Sequence, residues 1–237
     1  MKQVLAIAVL FACSALTGTK LSAQHIRKCG LDEVMKQAAA NNPLVAQAIQ
    51  RSKDKSLAVS ESARQTEANI HQQRTTSDIR IPVVFHVILT QAQIDLIKGT
   101  DGIFRRVGQQ LDALNRDFNA KNQDLVNVPA EFQPLIGNLN VSFALAHTDP
   151  DGKSTAGIEI KVASASQDRF PVLPYGKERT VAEGGLAPWD EKKYLNIWIV
   201  NLNAGSSNDI LGIAYSPEYA NALNTPSGVT INYGGSG

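Results

Sequence analysis

A run of apolar residues that begins at Ile79 is the feature that most restricts the fold of this chain. A strand with one solvated face alternates apolar and polar residues, whereas a strand buried on both faces is apolar throughout. The alternate positions here are Ile81, Val83, Phe85, Val87 and Leu89 on one face, and Val84, His86 and Ile88 on the other. We therefore predict that this segment is a buried, central strand of a sheet.

The elements after this strand indicate the fold class. Apolar residues recur at helical spacing from Ile103 to Phe118, which predicts a helix whose apolar face packs on the sheet. Thr100 or Asp101 is placed to cap the start of this helix. Further strands are predicted at Leu139–Ala146, Gly157–Val162, Tyr194–Leu202, Leu211–Tyr215 and Gly228–Tyr233. The order predicts an α/β (α+β) fold with the helix on one face of a sheet.

Residues 24–78 differ from the rest of the chain. They are rich in Gln, Ala, Ser, Lys and Arg and contain no Phe, Tyr or Trp. Short helices are predicted at Leu31–Ala40 and Leu44–Ile49, interrupted at Asn42-Pro43 because proline disfavours helix in the residue before it. Apolar residues are sparse from Arg51 to Asp78, so this part buries little surface alone. It is either a linker or a pro-segment that folds against something else.

The N-terminus has the pattern of a secretory signal peptide. Lys2 supplies positive charge, Val4–Ala12 is an unbroken apolar stretch, and Leu21-Ser22-Ala23 places a small residue before Gln24. We expect cleavage after Ala23, which makes residues 1–23 the signal peptide and the chain a secreted protein. A buried N-terminal helix and a lipoprotein signal anchored at Cys13 remain alternatives. The stretch is too short to span a bilayer, so no transmembrane segment is expected.

The cysteine count has a consequence for Cys29. The chain has two cysteines, and if Cys13 leaves with the signal peptide, Cys29 has no partner for an intrachain disulfide. A single cysteine in an exported chain suggests a free thiol, an intermolecular partner or a metal ligand.

Within the sequence itself no active site is evident. The net charge is +1 without long runs of one sign, so no nucleic-acid partner is expected. The four histidines do not form an H-E-x-x-H pair. His86 is either a core histidine or a ligand, and Asp149 and Asp151 are more typical of a surface turn than of a calcium loop. No G-x-S-x-G elbow is present.

Five stretches, taken together and in this order, resemble the secreted bacterial pappalysins, a branch of the metzincin metalloproteases. The resemblance covers about residues 79–233. The stretches are Ile81–Ile88; Leu111–Asn119; Phe143–Ala146 with the following Asp-Pro-Asp-Gly turn and Thr155–Ile158; Pro188–Asp190 with Lys193–Ile199; and Leu211–Pro217 with Gly228–Tyr233.

The resemblance implies a metzincin-like upper catalytic subdomain over residues 79–237, a twisted five-stranded mixed sheet with a helix packed on it, behind a mostly helical or irregular pro-segment over residues 24–78. In this family the next helix carries the zinc motif H-E-x-x-H-x-x-G-x-x-H, whose glutamate is the base for metal-bound water. This sequence ends at Gly237, where that helix would begin. We therefore expect no catalytic residue in the chain, although the resemblance implies a zinc metalloendopeptidase, a hydrolase, as the full-length product. Zinc and, as a second candidate, calcium are its implied cofactors, with ligands outside this sequence.

Two sets of residues have a role by resemblance. Arg27-Lys28-Cys29-Gly30 resembles a zymogen cysteine switch, in which the thiolate of Cys29 would fill the open zinc position. The strand Leu211, Gly212, Ile213, Ala214 and Tyr215 matches the family's strand that binds extended substrate by backbone hydrogen bonds. The implied partners are a protein or peptide substrate and the chain's own pro-segment. A bystander cysteine and a plain edge strand are the alternatives.

Two other functions stay open at this point. A non-catalytic exported module would bind an extended peptide along the same strand. A generic exported α/β domain would share the pattern by accident. Half a catalytic domain leaves apolar surface uncovered. The hypothesis of a truncated protease precursor therefore also predicts low stability or aggregation.

Overall fold

The computed structural model describes residues 28–29, 31–66, 79–172, 176–203 and 210–235, so the predicted signal peptide, His25 and His71 lie outside the described residues. The helices in this part are α1 Leu31–Asn41, α2 Pro43–Thr66, α3 Gln91–Leu96, α4 Gly99–Asp117 and α5 Pro217–Leu223. The strands are β1 Lys28–Cys29, β2 Ile79–Thr90, β3 Val141–Leu145, β4 Ile158–Ala163, β5 Phe170–Pro171, β6 Leu195–Val200, β7 Leu202–Asn203, β8 Ile210–Tyr215 and β9 Gly228–Asn232. No helix among these residues has the length and apolar character needed to cross a membrane.

One mixed sheet organises the molecule. Its strand order is β1-β8-β9-β6-β2-β3, and β4 also pairs with β2. Strands β2, β3, β4, β6 and β9 are mutually parallel along their pairings, whereas β8 is antiparallel to β9. The predicted mixed α/β sheet is therefore confirmed, and the short strand β1 is added to it at the outer edge of β8.

Strand β2 is the spine of this sheet. On one side, Val83–Ile88 pair with β6. On the other side, the first half of the strand pairs with β3 and the second half with β4. Residues from position 83 to 90 are all buried, as the apolar pattern predicts for a central strand.

The two faces of the sheet have different covers. On the first face, Val83, Phe85, Val87 and Leu89 form one apolar cluster with residues of α3 and α4, including Val107. On the second face, the described residues include no long helix over β2 and β6. Residues 164–172 and 176–194 pack there instead, through apolar clusters that include Ile88, Trp198 and Phe170 and, separately, Val84 and Trp189.

The start of α4 differs from the prediction. The helix begins at Gly99 rather than after Thr100 or Asp101, and neither residue caps it; the N-cap is Lys98, at a left-handed φ of 69° and without a side-chain hydrogen bond. The cause is the tight corner from α3, because a Cβ at Gly102 would lie 1.6 Å from the carbonyl oxygen of Ile97. Asp101 remains in the first turn, where a carboxylate is favoured by the helix dipole.

The helices of the segment 31–66 are longer than predicted. The break at Asn42-Pro43 is confirmed, since α1 ends at Asn41 and Pro43 is the first residue of α2, a position where its missing N–H costs nothing. Helix α2 then continues to Thr66, so the expectation of a short helix ending at Ile49 was wrong. Residues 50–66 are mainly good helix formers such as Gln, Arg, Lys, Ala and Glu, which extend a helix without needing an apolar face.

Candidate functional site

The strand predicted to bind peptide, β8, lies near one edge of the main sheet, between β1 and β9. It pairs antiparallel with β9, with Gly212 opposite Ile231 and Tyr215 opposite Gly228. The side chains of Ile213 and Tyr215 are buried, while Leu211 is 39% exposed and Ala214 is also exposed. A peptide added to this strand would therefore meet its outer backbone groups and its exposed side chains, and not those of Ile213 and Tyr215.

A close approach of β8 to β9 explains why position 212 is glycine. A Cβ at Gly212 would lie 2.6 Å from the carbonyl oxygen of Thr230. Any larger residue would push the two strands apart and disturb the outer edge of β8 with them.

The outer edge of β8 carries β1 over part of its length. Lys28 stands opposite Ile210 and Cys29 opposite Gly212, in parallel orientation and with an irregular register. The structure thus brings together the backbone of Cys29 and the first half of the predicted peptide-binding strand, two features that were predicted separately. The pairing with β1 ends at Gly212 and does not extend along Ile213–Tyr215.

A buried arginine ties β8 to the rest of the sheet. The Arg179 side chain is fully buried, its Nε donates to Glu178 Oε1 at 3.0 Å and its Nη2 donates to Thr230 Oγ1 at 2.8 Å. Its guanidinium lies 4.7 Å from the ring centres of both Trp198 and Tyr215. Burial lowers the pKa of Arg179, against the opposing effect of Glu178. The cluster connects β6, β8 and β9 through one side chain.

A second buried cluster adjoins the first on the same face, because Trp198 contacts both Arg179 and His86. His86 Nε2 faces Asn196 Oδ1 at 2.8 Å, and His86 Nδ1 faces Glu159 Oε2 at 2.6 Å. Trp189 fixes the orientation of Asn196, because its backbone N–H donates to Oδ1 and its carbonyl accepts from Nδ2. Nε2 must therefore carry a hydrogen, and the bond to Glu159 needs a second proton between the two groups.

The pKa of Glu159 depends on its contact with His86. Burial would raise the pKa of Glu159, but the hydrogen bond and the charge of His86 together hold it below its ordinary value. Both ring nitrogens of His86 are occupied within the core, and its ring stacks on Trp198 with centres 4.9 Å apart. The structure thus favours the interpretation of His86 as a core histidine over that of a ligand.

A cavity adjoins the carboxyl end of β8. Its volume is about 650 Å³, and it lies where β2, β6 and β9 begin. Its lining includes Ala214 and Tyr215 of the predicted peptide-binding strand together with Arg80, Tyr194 and Val229. The cavity is therefore continuous with one end of that strand.

The sequence analysis missed the residues that support β8. Arg179 and Glu178 lie in a segment predicted to be a loop, and Thr230 is some 50 residues further along the chain. A charged pair in an irregular segment is usually exposed, so the sequence carried no sign that this pair is buried. A partial clue for the other cluster was His86 itself, as a polar residue inside an apolar strand.

Comparison with known proteins was made by sequence and by structure. No protein-family profile and no curated protein sequence matched the chain. Among solved structures, a Tannerella forsythia promirolysin mutant matches with a TM-score of 0.64 and 30% identity, covering 87% of this chain and 60% of that one. Mature mirolysin of T. forsythia in complex with a cleaved peptide matches with a TM-score of 0.57 and 33% identity, covering 67% of this chain and 54% of that one. Mirolysin in complex with compound 9 gives the same values.

The class of protein follows from the sheet and from these matches. A twisted, mostly parallel sheet with an antiparallel strand near its edge and helices packed on it is here a metzincin-like fold. More narrowly, the chain is a relative of the pappalysin-type metzincins, the group of mirolysin. It spans a little more than half of the length of these relatives.

Proposed function

We propose that the chain is the N-terminal part of the precursor of a secreted, zinc-dependent endopeptidase. It would combine a signal peptide (1–23), a pro-segment (24–78) and the upper part of a catalytic domain (79–237). The observation that carries the proposal is the difference in coverage: the match to promirolysin extends over 87% of this chain and the match to the mature enzyme over 67%. A precursor carries a segment that its mature form lacks, so the larger coverage supports the assignment of a pro-segment.

Strand β8 is the proposed contact for substrate. An extended peptide can add to the exposed edge of a sheet through main-chain hydrogen bonds, with side-chain pockets supplying preference. Leu211 and Ala214 are exposed for such contacts, and the backbone of Ile213–Tyr215 lies beyond the end of β1. The mature mirolysin structure, which contains a cleaved peptide, supports a peptide as the ligand class.

The pro-segment is the second proposed partner of this edge. While β1 is paired with Ile210 and Gly212, the same backbone groups are not available to another strand. Cys29 lies within β1, and its thiolate is the proposed zinc ligand of a latent precursor, since zinc binds sulfur well. In this proposal, release of the segment would expose the edge of β8 and would free the zinc coordination position that the Cys29 thiolate occupies.

Zinc itself does not fit the residues that the structure describes. Among them, no group of three or more His, Cys, Asp or Glu side chains could hold a metal ion. No chemical step is therefore assigned to a residue of this chain, and the ligands of zinc, and of calcium as a second candidate, belong to a further part of the proposed precursor. We expect the purified 237-residue chain to bind no catalytic zinc and to cleave no casein. Stoichiometric zinc together with EDTA-sensitive cleavage would contradict this expectation.

The nucleotide sequence after codon 237 gives the most direct test of the precursor. An H-E-x-x-H run in any frame, soon after that codon, is the expected result, because two histidines four apart on a helix share a face and bind zinc together. A stop codon followed by unrelated sequence would contradict the precursor.

A stop codon there would favour the second candidate, a non-catalytic exported module that binds peptides along β8. The observation in its favour is that β1 pairs with Ile210 and Gly212 and does not extend along Ile213–Tyr215. Binding of a labelled extended peptide to the full chain, with loss of binding on Leu211→Glu, would support this function, because Leu211 is an exposed side chain of β8. The matched variant Val162→Glu changes an exposed side chain of β4 in the same sheet and should leave binding unchanged.

A further inference from the structure

Helix α5 and the helices α1 and α2 form an interface separate from the β1 pairing. Met35, Ala38 and Val45 are buried in one apolar cluster, against which the α5 residues Tyr219, Ala222 and Leu223 pack. Val45 and Ala48 are completely buried. The contact surface on α5 is made of side chains on one face of a short helix, and we call this face of Tyr219, Ala222 and Leu223 the α5 face.

Polar contacts at its border set the direction of the helices. Asn42 Nδ2 donates to the carbonyl oxygen of Ala222 at 3.4 Å, at the turn between α1 and α2. Thirteen residues further along α2, Lys55 forms an ion pair with Glu218 at the start of α5. The two contacts lie at opposite ends of α5, so α2 crosses it in a defined orientation.

The buried contacts of this interface come from the first half of α2, and the Lys55 ion pair lies just beyond them. The buried and half-buried positions Val45, Ala48, Ile49 and Ser52 follow helical spacing, whereas every residue from Lys53 to Ser62 is exposed. Leu57 is 66% exposed and Val59 is 68% exposed. An open groove of about 440 Å³ runs beside this contact, lined by exposed and half-buried residues of α2 and α5 that include Arg51, Lys55 and Glu218. A small apolar contact with polar borders suits reversible binding.

We propose that the α5 face is a docking site for an amphipathic helix, and that residues 31–66 of this chain bind it as a separate polypeptide after the chain is cut between Thr66 and Ile79. The proposal rests on the proposed function, in which residues 24–78 are a removable pro-segment. It adds that cutting does not by itself release the segment, because the helices hold the α5 face without help from the β1 pairing or from Cys29. The required partner is a helix with small and apolar residues at positions i, i+3 and i+4, like Val45, Ala48 and Ile49, and with a cationic side chain opposite Glu218.

The position of the site gives it a consequence for β8. Helix α5 directly follows β8 in the chain, and Val34 of α1 packs in a cluster with Ile213 and Tyr215 of that strand. A helix pair bound at the α5 face therefore stands beside the second half of the predicted peptide-binding strand. Its bound state would restrict access to Ile213–Tyr215, the part of β8 beyond the end of β1.

The test uses the full chain with a recognition sequence for a site-specific protease placed within residues 67–78. After folding and cutting, gel filtration and dilution measure whether the N-terminal fragment stays with residues 79–237. A fluorescent peptide of residues 31–66, which lacks Cys29, is then used as a competitor. We expect the fragment to remain bound after cutting, and the peptide to displace it.

Matched variants on α2 separate docking from helix formation. Val45→Asp places a charge in the buried interface, and we expect retention to weaken by more than about 100-fold because an unpaired buried charge is strongly unfavourable. Val59→Asp makes the same substitution on the exposed half of the same helix and should leave retention unchanged. Equal effects of the two variants would overturn the proposal.

An exposed charge swap covers the case in which Val45→Asp disturbs folding. Glu218→Lys should weaken retention about two- to five-fold, the range of an exposed ion pair, and adding Lys55→Glu should restore it. Complete release of the wild-type fragment on cutting, or a double variant no better than the single one, would overturn the proposal. A different outcome is that the fragment stays bound after cutting, but the protein binds no extended peptide once the fragment has been displaced. That result would count against β8 as the substrate strand and not against the docking site.

Discussion

The buried pair of Arg179 and Glu178 allows a sharp prediction, because the same segment contains an exposed pair of the same kind. The side chains of Arg179 and Glu178 are 0% and 5% exposed, whereas those of Arg169 and Asp168 are 52% and 43% exposed. Replacing Arg179 by alanine leaves the Glu178 carboxylate buried without its counter-ion, which costs about 3–5 kcal/mol of unfolding free energy. Replacing Arg169 by alanine should leave the unfolding free energy nearly unchanged, because its pair is solvated.

Urea unfolding of the full chain, followed by tryptophan fluorescence, measures this difference directly. With a slope of about 2 kcal/mol per molar urea, the buried variant should lower the midpoint by about 1.5–2.5 M, whereas the exposed variant should unfold close to the wild-type midpoint. Trp198 is a suitable probe because it lies against the guanidinium.

A double variant tests the cause rather than the size of the effect. Arg179→Met with Glu178→Gln removes both charges and keeps most of the volume, so it should recover at least about half of the lost midpoint. An equal loss for the two alanine variants, or a double variant as unstable as Arg179→Ala, would show that the buried charge is not the reason.

Three further predictions concern the sheet and its surface. Gly212→Ala should lower the unfolding free energy by about 1–3 kcal/mol, measured by urea unfolding, because the added methyl group meets a carbonyl oxygen of β9 at 2.6 Å; an unchanged midpoint would contradict the close approach. Although burial opposes it, His86 lowers the pKa of Glu159 below its ordinary value of 4.5. The pair therefore stabilises the fold above pH 4.5, and this contribution is lost as the pH falls through the lowered pKa. The urea midpoint should fall less steeply between pH 6 and pH 3 in Glu159→Gln than in the wild type, and parallel curves would refute this. Val126 and Leu135 are 83% and 75% exposed, so replacing both by glutamine should reduce light scattering on concentration without changing the melting temperature, and unchanged scattering would exclude them as the source of aggregation.

The central part of the sheet was predictable because its signal is local. The apolar run of β2 and the alternation in β6 are each contained in a few residues. Both strands lie within a residue or two of the predicted bounds. Helix α3 was missed although its sequence contains a capping box, in which Thr90 and Gln93 exchange hydrogen bonds. That helix is only one and a half turns long, too short for helical periodicity to reveal it.

The supports of the candidate site could not be read from the sequence. Arg179 meets Thr230 and Tyr215 only because the irregular segment folds back over the second face of the sheet. The pairing of β1 with β8 is likewise a contact between distant parts of the chain, and a two-residue strand has no pattern of its own. Strand and helix types follow from neighbouring residues, whereas these contacts depend on the path of loops.

The docking of α1 and α2 on α5 also fixes an order of events during synthesis. Asn42 and Ala222, which are joined by a hydrogen bond, are 180 residues apart in the chain. Closing a loop of this length is an entropic cost that precedes any reward from the contact, and the ribosome must have delivered α5 before the contact can form at all. The N-terminal helices therefore emerge first and must wait for their partner, while the early strands assemble around β2 without them. A chain stalled before residue 210 would lack both β8 and α5, so these helices would be unattached and accessible to chaperones and proteases.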